Sequence, residues 1–138
     1  MTAPDTIDAI EIADAGSTIA WIFRSAYQPQ TTQFITPPQT SFQAGYIVYP
    51  AGGAVAPHRH RPVVRTLETT SEALFVKSGR AVADFFSSEG RLLESHEVKS
   101  GDFLLLVAGG HAFRMKEDTV FIEVKQGPYF GADEKDPL

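Results

Sequence analysis

Residues 52–60 read Gly52-Gly53-Ala54-Val55-Ala56-Pro57-His58-Arg59-His60. Glycine and proline at this density punctuate a chain and exclude a helix here. His58 and His60 stand two apart, and in an extended segment residues two apart point the same way. Two imidazoles on one face supply half of a metal site.

Working outward, Pro50-Ala51-Gly52-Gly53 ends a predicted strand over Phe42–Tyr49, and residues 54–71 read mostly as loop. Upstream of that strand, Gln28–Thr40 carries Pro29, Pro37 and Pro38 and reads as a loop or a broken edge strand. Thr18–Arg24 is the first plausible strand, with Trp21 and Phe23 on one face. Asp5–Ala15 is the one helix candidate. Downstream, strands are expected at Glu72–Val76, Arg80–Phe86, Arg91–Val98, Phe103–Val107, His111–Met115 and Thr119–Lys125. Ser87-Ser88-Glu89-Gly90 makes a hairpin of Arg80–Phe86 and Arg91–Val98. A second hairpin is expected across Lys116-Glu117-Asp118, and Gly127–Leu138 reads as a coil tail. Short strands at even spacing, divided by 11 glycines and 9 prolines, indicate an all-β sandwich or barrel.

Glu72 opens one of these strands, and His111 opens another directly after Gly109-Gly110. A closed barrel can bring His58, His60, Glu72 and His111 to one mouth. If Glu72 points inward, so do Leu74 and Val76; if His111 does, so do Phe113 and Met115. Both sets are apolar, as the inside of a barrel requires.

The bulk properties narrow the setting. A chain of 138 residues favours one domain that buries its own core. Apolar residues at 43% and charged residues at 21% exclude a disordered or fibrous chain. A net charge of -5 offers no attraction to nucleic acid or an anionic membrane. With no cysteine, disulfides, thiolate metal sites and thiol nucleophiles are excluded. The first residues do not read as a signal peptide, and no apolar stretch reaches membrane-spanning length, so a soluble cytoplasmic protein is expected.

The stretch from Gly52 to His60, with Glu72 and Gly79 after it, resembles the first motif of the cupin family. Gly101-Asp102, the apolar strand that follows and His111 resemble the second. The resemblance spans roughly residues 45–125. It implies a cupin-type double-stranded β-helix (jelly-roll) barrel at about 17–126, with an N-terminal arm at 1–16 and a tail at 127–138. It implies a homodimer and a divalent ion (Mn, Fe, Ni, Co, Cu or Zn) held by His58, His60, Glu72 and His111. The sequence departs from the pattern at three places. Eleven residues separate His60 from Glu72, more than the family has, and Glu68 within them is a rival carboxylate. Val107 stands where the family has proline, and Met115 where it often has asparagine.

The expected function is a metal-dependent enzyme of isomerase, oxygenase or decarboxylase type acting on a small polar molecule. The alternative is a non-catalytic module that binds a sugar or organic acid. Arg61 and Arg65 are candidates to grip an anionic substrate through guanidinium forks, against a reading as a solvated loop. Tyr49 and Phe113 are candidates to line the pocket, although Phe113 and Met115 read more simply as core. His96, between Ser95 and Glu97, reads as a surface residue, and Glu123 with Lys125 as an exposed pair. The segment Ile19–Tyr49 is a candidate for pairing across a dimer.

Overall fold

The computed structural model describes residues 7–138. Ten strands run in chain order: β1 (Ile10–Asp14), β2 (Ser17–Phe23), β3 (Gln33–Phe34), β4 (Gly45–Tyr46), β5 (Glu72–Ser78), β6 (Arg80–Phe86), β7 (Leu92–Lys99), β8 (Phe103–Leu106), β9 (Gly110–Met115) and β10 (Val120–Lys125). A 3-10 turn at Ala132–Glu134 is the one helical element among the described residues, and no helix there is long and apolar enough to cross a membrane.

The strands form antiparallel sheets: a five-stranded sheet in the order β1-β2-β8-β5-β10, a three-stranded sheet β7-β6-β9, and the pair β3-β4. Sequence explains the layering. In β2 the residues Ile19 to Phe23 are all buried, because the strand is covered on both faces. Ala20 and Ile22 join Leu74, Val76, Leu104 and Leu106 against Ala81, Ala83, Phe85 and Val98 of the three-stranded sheet. Trp21 and Phe23 point the other way, with Leu105, onto Ile35, Phe42 and Tyr46 around β3 and β4. The five-stranded sheet is thus the middle layer.

Several expectations change. Asp5–Ala15 does not form a helix over its described part: Ile10–Asp14 is a strand paired with β2, with Ile12 wholly buried opposite Ala20. Residues 5 and 6 lie outside the described residues. The strand β1 therefore belongs to the sheet, although the N-terminal arm was expected to end at residue 16. The expected strand Phe42–Tyr49 shrinks to Gly45–Tyr46, since prolines flank the segment and Thr36 and Gln43 side chains take over its hydrogen bonds.

The sheets remain open layers and do not close into a barrel. The expected hairpin of His111–Met115 and Thr119–Lys125 divides instead: β9 pairs with β6, and β10 pairs with β5. The link between them is pinned to Arg80, whose carbonyl accepts from Lys116 N at 2.9 Å and Thr119 Oγ1 at 3.2 Å. At Gly79, φ is 94° and a Cβ would collide with the Asp118 carbonyl, so glycine is required where the two turns touch.

A buried clasp fixes the start of β8. Asp102, with no exposed surface, accepts from Arg24 Nη1 (3.0 Å), Ser25 N (2.9 Å) and Lys99 N (3.0 Å). It ties the ends of β2 and β7 to the turn at Ser100-Gly101-Asp102.

Candidate metal centre

Glu72 and His111 meet. They stand on facing sheets, and Glu72 Oε2 lies 3.6 Å from His111 Nε2. Parity brings them together. Glu72 shares its face of β5 with buried Leu74 and Val76. His111 stands opposite Phe85 in the β9–β6 ladder, and Phe113 opposite Ala83, both partners wholly buried. Phe113 is half-buried and packs on Phe121, ring centroids 5.1 Å apart, which floors the site. Met115 departs from the expectation: it is 53% exposed, because β9 ends there and the chain turns away.

His58 and His60 also keep the predicted relation to each other. Their rings are 5.4 Å apart. His58 Nδ1 donates to the Ala56 carbonyl at 2.8 Å, which leaves Nε2 as the free nitrogen. Both residues are exposed, on a run in which residues 50–70 are all exposed.

The two pairs do not converge within one chain. Among the described residues no group of three or more His, Asp or Glu side chains is placed to hold an ion. The donor chemistry suits a transition metal, but a single chain offers it in two halves. The rival carboxylate Glu68 is exposed in a bend, and the structure brings Glu72 to His111 instead.

Two residues that the sequence did not assign to the site bear on it: Glu123, exposed as expected, and Lys135. Glu123 of β10 stands opposite inward-facing Leu74, on the same side of the β5–β10 pair as Glu72. Burial first, then the neighbouring Glu123 carboxyl, hold the Glu72 carboxyl above the usual range, against the pull of Lys125 and Lys135. Burial and then Lys135 push the His111 imidazole below its ordinary value, against Glu123, and so favour the neutral ring with a lone pair to give. Strand parity could have placed Glu123 on the Glu72 side of the β5–β10 pair. Nothing local could have placed Lys135, which reaches the site from the tail.

The substrate candidates scatter. Arg65 lines a cleft of about 520 Å³ with Phe42, Ala73, Phe103 and Leu105 on the outer face of the middle sheet. Phe113 lies on the opposite side of that sheet, and Tyr49 and Arg61 are exposed on the loop. They form no common pocket, because Ala73 and Glu72 are neighbours on β5 and point to opposite faces. His96 is half-buried rather than on the surface. It shares the inner face with Ala83, packs on Phe85 and lies 3.0 Å from Glu94. Comparison of the chain with protein-family models, with curated proteins and with solved structures finds no match in any of the three.

Proposed function

We propose that this chain is a cupin-type jelly roll that holds one divalent transition metal with His58, His60, Glu72 and His111 and presents it to a small polar molecule. One observation carries the reading. Glu72 and His111, distant in sequence and on different sheets, stand with oxygen and nitrogen 3.6 Å apart. Two donors each about 2.1 Å from one ion are separated by about 3.0–3.4 Å, so a small shift suffices for both to ligate it.

The surroundings support the same reading. His111 is held toward its neutral form, the form that ligates. Phe113 and Phe121 wall the inner side and keep water from reaching the donors from below. Glu123 adds a second carboxylate on the Glu72 side of the β5–β10 pair. Lys135 offers a cation to the acidic end of a small molecule. A bound ion would add Lewis-acid polarisation of an oxygen, the chemistry shared by isomerases, oxygenases and decarboxylases.

The test is metal content. Wild-type protein incubated with Mn²⁺ or Zn²⁺ and then dialysed is expected to retain one ion per chain. His60→Ala and His111→Ala are each expected to lose most of it. Equal retention by both variants and the wild type would remove the proposal.

A further inference from the structure

We infer that the metal site is built between two copies of the chain, the His58–His60 arm of one copy seated in the seam between β9 and β10 of the other. This inference rests on the metal-binding reading and names the partner that completes the site.

The first argument is incompleteness. One chain carries both halves of a four-donor site and does not join them. The second is the arm itself. From Gly53 to Leu67 the backbone forms no turn, bend, helix or strand pairing. Among the described residues, no backbone hydrogen bond ties residues 54–70 to the rest of the chain. Such a run reaches up to about 50 Å when extended, and unpaired backbone of that length is a template for strand addition. It also exposes Val55 (57%), Val63 (60%) and Val64 (96%), apolar surface without an intramolecular partner.

The third argument is the receiving surface. Strand β10 is an edge of the five-stranded sheet and β9 an edge of the three-stranded sheet, and Glu72 and His111 meet between them. The outward face of β10 exposes Ile122 and Val124 at 50% and 62%. A strand laid along β10 alternates its faces. With His58 and His60 turned inward toward Glu123 and Glu72, Val55 and Val63 fall on the face of Ile122 and Val124. Pro57 and Pro62 lack the N–H that a ladder needs, which confines pairing to His58–Arg61. That is the part carrying the donors.

Charge agrees at long range: residues 51–67 hold Arg59, Arg61 and Arg65 and no acid, in a chain of net charge -5, so a cationic arm approaches an acidic partner, while the alternation leaves these three side chains on the Ile122 and Val124 face. A twofold dimer uses arm and seam twice and yields two sites.

Two readouts test this. The chain has no cysteine, so Arg59→Cys with Val124→Cys in one chain reports directly on the seating. Oxidation is expected to give covalent dimers at twice 15.1 kDa. A closed monomer would overturn the inference. The second readout mixes defects. His58→Ala/His60→Ala and Glu72→Gln/His111→Ala chains each fail to retain Zn²⁺ alone. Coexpressed equally, they form mixed dimers with one intact site of two, and about a quarter of the wild-type Zn²⁺ per chain returns. Wild type that retains Zn²⁺ with no recovery in the mixture overturns the two-chain site and leaves the metal reading standing. Covalent dimers of the double-cysteine chain, together with a wild type that retains no Zn²⁺ or Mn²⁺, overturn the metal reading and leave the arm exchange.

Discussion

Replacing Asp102 with Ala removes the one fully buried carboxylate among the described residues and tests whether the clasp at the start of β8 positions the sheets. The side chain accepts three hydrogen bonds, from Arg24 Nη1, Ser25 N and Lys99 N. Breaking a buried ion pair by removing one partner costs about 3–5 kcal/mol. Here the Arg24 side chain is 21% exposed, and a cleft of about 200 Å³ beside it admits water to the abandoned donors. The loss is therefore expected at the lower end, about 3 kcal/mol. For a chain of this size that lowers Tm by roughly 10 °C. Asp102→Asn keeps the shape but turns an amide toward at least one donor, so it is expected to fall nearly as far. Urea unfolding followed by far-UV circular dichroism gives both values. A loss below about 1 kcal/mol for Asp102→Ala would show that water replaces the carboxylate fully and that the clasp does not hold β8.

Phe85→Ala empties a wholly buried position beneath His111 and is expected to destabilise by about 3–5 kcal/mol in urea unfolding. Gly79→Ala places a side chain at φ 94° against the Asp118 carbonyl and is expected to lose about 1–3 kcal/mol, with Gly52→Ala, whose Cβ meets nothing, losing less. Asp84 is held below the usual carboxylate range by hydrogen bonds from Arg114 and then Ser95. Its contribution is complete above the unfolded carboxylate pKa and disappears as pH falls through the lower folded value. The stability gap between wild type and Asp84→Asn should thus narrow as pH drops from 5 toward 2, and a constant gap in pH-dependent unfolding would contradict that pairing.

The parts of the fold that were legible in the sequence are those in which local pattern and tertiary demand agree. The runs Ile19–Phe23 and Phe103–Leu106 are continuously apolar because the middle sheet is covered on both faces. Ser87–Gly90 joins β6 to β7 as the turn residues require. Glu72 and His111 could be paired because inward parity follows from their apolar neighbours Leu74 and Phe113. The misreadings have an equally physical source. Ile7, Ile10 and Ala13 fall at helical spacing, yet Ile10 and Ile12 alternate as well, and pairing with β2 decides between the two periods. The split of β9 from β10 depends on ladders to β6 and β5, which no local turn signal reports. The role of Glu123 depends on cross-strand register, and that of Lys135 on where the tail runs. The exposed arm at 53–67 is the clearest case: its composition fits a loop, and its unpaired backbone shows only in three dimensions.

The central claim is that three imidazoles and one carboxylate surround a single ion. X-ray absorption at the zinc edge of the Zn²⁺-loaded protein counts those donors directly. Three imidazole nitrogens with oxygen completing the shell is the expected spectrum, and the His58→Ala/His60→Ala variant is expected to carry no retained zinc at the edge. A wild-type shell with a single imidazole would mean that the Glu72–His111 pair binds alone and that the arm has no part in the site.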